Sequence, residues 1–149
     1  MTGTTAGSDS RLMTVGALAR RSGLSIKAIR QYEALGLIYS AGRSESNYRL
    51  FDESALWCTR VIATLRSLGL TIKEIDQLAS AYLSRPEEPI GPRLAALLDR
   101  ADQRIDDRIA QLEAVRGRIR AYRAEHAAAL AGEPNDALFG HDPRRRRAA

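Results

Sequence analysis

Thr14-Val-Gly-Ala-Leu-Ala-Arg-Arg-Ser-Gly-Leu-Ser-Ile-Lys-Ala-Ile-Arg-Gln-Tyr-Glu-Ala-Leu-Gly36 contains two short helical patterns separated by a glycine turn. Thr14 can cap a helix from Val15 to about Ser22, with Val15, Leu18 and Ala19 at helical spacing. Gly23 ends it. Ser25 can cap a second helix, Ile26 to Ala34, with Ile26 and Ile29 inward and Lys27, Arg30 and Gln31 outward. Gly36 closes the second helix. Two short helices joined in this way make a helix-turn-helix.

Working outward, Leu37–Phe51 has no helical period. Leu37-Ile38-Tyr39 and Tyr48-Arg49-Leu50-Phe51 read as the two strands of a hairpin, or wing, around a polar stretch from Ser40 to Asn47. Asp52 caps a third helix to about Leu68, whose apolar face includes Leu56, Val61, Ile62 and Leu65. Gly69 stops it, and Thr71 with Glu74 forms a capping box for a fourth helix to about Leu83. Residues 84–92 hold three prolines and a glycine and read as a linker. Residues 93–131 contain no proline, which predicts one helix nearly 60 Å long at ~1.5 Å per residue. Leu98, Ile105, Leu112 and Ile119 recur every seven residues, with Ala101, Val115 and Tyr122 three residues on. Ile109 widens the stripe beside Arg108. Such a seam requires a partner helix, and the expectation is a homodimer. The expected organisation is a disordered 1–10, a winged helix-turn-helix domain over 11–83, a linker over 84–92, a dimerisation helix over 93–131 and a flexible basic tail over 132–149.

The charge is unevenly placed. The 149 residues carry a formal +5, yet Arg11–Leu50 alone has seven basic residues against Glu33 and Glu45. Arg144–Arg147 adds four more positive charges. A basic front on a near-neutral body is the electrostatic footprint of a nucleic-acid reader. No apolar run approaches the ~20 residues of a membrane span, and the first ten residues lack the apolar stretch of a secretory signal. Cys58 is the single cysteine, which excludes a disulfide or a cysteine cluster within one chain. A soluble, reduced, cytoplasmic protein is expected. There is no glycine-rich phosphate loop, nucleophile motif or paired-carboxylate constellation, so the expectation is not an enzyme.

Several ordered motifs now converge. Val15-Gly-Ala-Leu-Ala-Arg-Arg-Ser-Gly-Leu-Ser, Lys27-Ala-Ile-Arg-Gln-Tyr-Glu33, Arg43-Ser-Glu-Ser-Asn-Tyr-Arg-Leu-Phe51 and Leu65-Arg-Ser-Leu-Gly-Leu70 resemble the DNA-binding domain of the mercury-resistance-regulator (MerR) family. The resemblance covers about half the chain. It implies a mainly α protein, a winged helix-turn-helix followed by a long antiparallel coiled-coil dimerisation helix. It also implies a regulator that binds a pseudo-palindromic promoter site as a homodimer and distorts the DNA so that RNA polymerase can engage it. Lys27 resembles a base-edge reader, whereas Arg30 and Tyr32 resemble backbone-contacting residues; for Tyr32 packing against Leu37 is the other reading, and the two roles are compatible. Arg43, Tyr48 and Arg49 would place the wing on phosphates, and Arg66 matches a further phosphate-contacting position. Two sites depart from the family pattern. Gln31 stands where an aromatic is usual, next to Arg30 on the helix, and could alter groove contacts. Ser46-Asn47 stands where Asn-Gly is usual, and asparagine tolerates positive φ.

The resemblance leaves the effector open. Metal sensors of this type use cysteines near the end of the dimer helix, and this chain has none there. His126 falls near the first such position and His141-Asp142 lies beyond it. A His/Asp site for a divalent ion is one reading of these residues, since imidazole and carboxylate are ordinary ligands; the seven-residue count also lands on 126, and the preferred reading of His126 is the polar end of the seam, with no metal and no cofactor expected. Cys58, beside Trp57, reads as core packing; Trp57 with Tyr82 reads either as the lining of a pocket for an apolar ligand or, the commoner case, as aromatic core. The alternative function is an architectural or recombination accessory protein, which the seam over Leu98–Ile119 disfavours.

Overall fold

The computed structural model of the protein describes residues 11–134 and 136–147. The expected disordered segment 1–10 lies outside the described residues. Two compact units divide at Asp102 and Gln103.

In the first unit, β1 (Met13–Thr14) leads into α1 (Val15–Ser22) and α2 (Ile26–Ala34). β2 (Gly42–Arg43) and β3 (Arg49–Phe51) follow, then α3 (Glu53–Ser67) and α4 (Ile72–Ser84). The helix starts are those legible in the sequence. Thr14, Ser25 and Asp52 each accept a hydrogen bond from the third residue of the helix they cap. Thr71 and Glu74 form the reciprocal capping box. Core side chains come from every element but β2, with Leu18, Ile29, Ile38, Phe51, Leu56 and Leu70 almost wholly buried.

The sheet corrects the hairpin expectation. Its order is β1-β3-β2, all antiparallel, with Met13 opposite Phe51 and Gly42 opposite Leu50. Leu37-Ile38-Tyr39 is not a strand. The Leu37 amide donates to the Tyr32 carbonyl at 2.9 Å and the Gly36 amide to the Glu33 carbonyl at 3.0 Å. Those two bonds close α2 as a Schellman motif around Gly36 at φ 74°. The backbone at Leu37 is thereby committed to the helix end, and Ile38 drops into the core instead. α3 ends the same way, with Leu70 donating to Leu65 and Gly69 to Arg66. Val61, expected on the apolar face of α3, is exposed.

The long helix α5 runs from Gly91 to Glu125, beginning inside the expected linker and ending before Ala131. The first unit takes its start: Leu97 and Ala101 are buried there, and Leu94 and Leu98 pack against the same core. Leu98, assigned to the dimer seam from its spacing, is thus engaged within its own chain. The first unit reaches Asp102 for this reason, past the expected boundary at 92.

In the second unit, the remainder of α5 presents Ile105, Ile109, Leu112, Val115, Ile119 and Tyr122 as an exposed apolar stripe. The helix breaks at His126, and α6 (Ala127–Leu130) follows. On a continuous helix Leu130 would stand about 12 Å along the axis from Tyr122; here it shares a groove of about 370 Å³ with Val115, Ile119 and Tyr122, flanked by Arg118 and Arg123. The segment expected as a flexible tail contains α7 (Asp136–Phe139) and a 3-10 turn at Arg145–Arg147. Arg144 donates to both Asp142 oxygens, holding that carboxyl below its ordinary range. No helix among the described residues is long and apolar enough to cross a membrane.

Candidate nucleic-acid interface

α2 divides its side chains sharply. Ile29 and Tyr32 are buried, while Lys27, Arg30 and Gln31 are exposed. Ile26, expected inward, is 40% exposed. It is the first residue of the helix, and side chains lean toward the N-terminus, so it reaches beyond the core that Ile29 enters. Tyr32 belongs to the hydrophobic core cluster with Ile38 and Phe51, which favours the packing alternative for its ring.

The wing is shaped by a tight turn over residues 44–48. Ser44 and Tyr48 are joined by their backbones at 2.8 Å, and the Ser44 hydroxyl also accepts from the Tyr48 amide. Asn47 adopts φ 64°, the only non-glycine residue with positive φ among those described. The asparagine therefore fills the left-handed position for which glycine is usual. Arg43 donates through Nη1 to the Asn47 carbonyl and side chain, at 3.1 and 3.3 Å, bracing the tip from within. Tyr48 is exposed.

Arg49 and Arg66 also have intramolecular partners. Arg49 Nη1 lies 2.8 Å from Glu33 Oε1, joining the wing to α2. Arg66 Nη1 donates to the Leu70 carbonyl at 2.8 Å, over the Schellman end of α3. A guanidinium has five N–H donors, so these bonds leave donors for phosphate and fix the direction in which they are offered. The sequence reading missed the Glu33 contact. Its partners are 16 residues apart, and no local pattern couples a helix end to a strand at that distance. Arg21 makes a two-pronged pair with Glu53, at 2.7 and 3.3 Å, linking α1 to the start of α3.

Trp57 and Tyr82, expected as aromatic core, are 66% and 59% exposed. Cys58 packs against the core. Burial pushes its thiol above the ordinary range; Asp52 adds to the rise and a backbone hydrogen bond opposes it. A thiol so placed is a poor nucleophile at neutral pH. Cys58→Ser should leave DNA binding and any oxidant response unchanged, with a stability loss on the order of 1 kcal/mol from placing a hydroxyl there. Loss of an oxidant response in a mutant that still binds DNA would overturn the packing assignment. In the second unit, the His126 ring sits 4.3 Å from that of Tyr122. Among the described residues no group of three or more His, Cys, Asp or Glu side chains is arranged to hold a metal ion.

Two capped helices joined at a glycine turn, a wing hinged to the second of them and a further helical pair define a winged helix-turn-helix protein. The chain belongs to the MerR family. Residues 13–82 match the model described as MerR HTH family regulatory protein, and residues 60–122 match the model described as MerR, DNA binding. The crystal structure of the transcription regulator PbrR691 from Ralstonia metallidurans CH34, in complex with lead(II), is 30% identical with a TM-score of 0.62. That match covers 75% of this chain and 86% of PbrR691. An HTH-type transcriptional regulator of Pseudomonas aeruginosa is 38% identical over 73 residues, which is 49% of this chain and 55% of that protein. The heavy metal-dependent transcription regulator 2 of Rhizobium meliloti is 33% identical over 85 residues, 57% of this chain and 58% of that protein. The chain thus spans somewhat more than half the length of these two curated relatives.

Proposed function

We propose that the protein is a sequence-specific DNA-binding transcription regulator that acts as a homodimer on a pseudo-palindromic promoter site. The observation that carries this reading is the division of α2: its inward face is spent on Ile29 and Tyr32, and its outward face offers Lys27, Arg30 and Gln31 to solvent. A helix in the major groove needs such donors for base edges and phosphates. Lys27, in the first turn of α2, reads a base edge, with Gln31 alongside. Arg30, Arg43, Tyr48, Arg49 and Arg66 anchor the backbone. Tyr32 acts mainly by fixing the helix on the core.

The stripe from Ile105 to Tyr122 is the dimerisation surface, antiparallel to its copy as in the family. Binding bends and untwists the promoter, the deformation being offset by contacts at both half-sites, and RNA polymerase engages the distorted site. No catalytic step is involved, and the protein acts in the cytoplasm. The lead(II) of PbrR691 does not transfer to this chain. Soft cations select thiolate ligands, and the one cysteine here, Cys58 in α3, packs against the core.

The test is a footprint of the purified protein on the region upstream of its own gene, followed by binding to single-base variants of the protected site. Lys27→Ala should relax preference at one position in each half-site, by ~1–3 kcal/mol against the preferred base. A uniform loss of affinity across all the variants would remove Lys27 from base readout.

A further inference from the structure

We propose that Glu33 is a specificity-determining residue, which holds Arg49 by an ion pair so that the wing arginine rewards one phosphate position and not DNA in general. The inference rests on the DNA-binding reading above. The side chain of Glu33 is 15% exposed while that of Arg49 is 52% exposed. The acid is the shielded member, and the base is the one that meets solvent. Glu33 lies near the C-terminus of α2, and Arg49 opens β3, opposite Arg43 in the wing. The 2.8 Å contact therefore fixes the wing strand against the helix that carries Lys27 and Arg30.

Two physical consequences follow. The pair is neutral as a unit, so Arg49 adds little to the long-range attraction between the protein and any duplex. The remaining guanidinium donors are held in one orientation, so a phosphate gains from them only when it arrives at the right place relative to α2. A free arginine would do the reverse, following phosphates wherever the protein lands. Glu33 thus lowers non-specific binding while keeping the wing in register with the recognition helix.

The experiment measures binding of the full chain to a random-sequence duplex and to a duplex enriched from a random pool by the wild-type protein, each over a salt series. Glu33→Gln keeps the size of the side chain and releases one positive charge. It should bind the random duplex up to roughly eightfold more tightly near 0.1 M salt, with the salt slope steeper by about one. The enriched duplex should gain less, so that the specificity ratio falls. For the random duplex, affinities should rank Glu33→Gln first. The wild type and Glu33→Gln/Arg49→Ala should be close to one another, and Arg49→Ala, which strands Glu33 beside phosphates, should be weakest. If Glu33 only stiffened the wing, Glu33→Gln would weaken both duplexes, and that result overturns the proposal. So does an unchanged slope in a protein whose wild type binds DNA in a salt-dependent way. If the wild type shows no salt-dependent duplex binding at all, the DNA-binding reading itself fails, and this one with it.

Discussion

Replacing Ile105 and Leu112 together by aspartate should turn a dimer into a monomer. Ile105 and Leu112 are about half exposed in the single chain, at 50% and 52%, in a stripe continued by Ile109, Val115, Ile119 and Tyr122. Beside the stripe, polar side chains pair locally, Gln103 with Asp107, Arg108 with Gln111 and Arg116 with Glu113. Fully burying a leucine-sized side chain is worth ~1.5–3 kcal/mol, so covering the exposed half of one contributes ~1 kcal/mol, and two-fold symmetry counts each residue twice. The double mutant loses this for four side chains and would also have to bury four carboxylates without partners. Light scattering at micromolar concentration should read one chain. A double mutant that still reads two chains would exclude the stripe as the interface. Leu98 offers a contrast: it packs against the first unit's own core, so Leu98→Ala should lower stability before it changes oligomeric state.

Phe51→Ala should cost ~3–5 kcal/mol of folding stability, a large share of the ~5–15 kcal/mol typical of a domain. Phe51 is 1% exposed and stands at a junction. It pairs with Met13 across the sheet, it ends the wing strand, and the next residue, Asp52, caps α3. Removing the ring leaves a cavity where wing, sheet and third helix meet. Urea unfolding should show the midpoint fall, and hydrogen exchange should show the Arg49–Phe51 amides opening more often. Tyr48, three residues earlier, is exposed. Tyr48→Ala should change stability by no more than about 0.5 kcal/mol and act on DNA affinity instead. A loss below about 1 kcal/mol for Phe51→Ala would mean that the wing folds independently of the core.

What depends on near neighbours along the chain was legible in the residues alone. Thr14, Ser25, Asp52 and Thr71 start the helices where they do because a cap needs only its own first turn. Gly23, Gly36 and Gly69 end three of them because the left-handed conformation there suits glycine. The outward placement of Lys27, Arg30 and Gln31 followed from helical period alone. The rest came from how the elements pack. Met13–Thr14 becomes a strand because β3 lies beside it, 36 to 38 residues away, and a two-residue strand has no period to read. Leu37 is withheld from the sheet by the end of α2, and Leu98 is withdrawn from the heptad stripe by the core. Arg49 has the composition of a free phosphate ligand, and only the fold brings Glu33 to within 2.8 Å of it. Caps and periods are short-range interactions written in adjacent residues. Strand partners, ion pairs across elements and the allocation of one apolar side chain between core and interface depend on which surfaces meet, and that is settled when the helices pack.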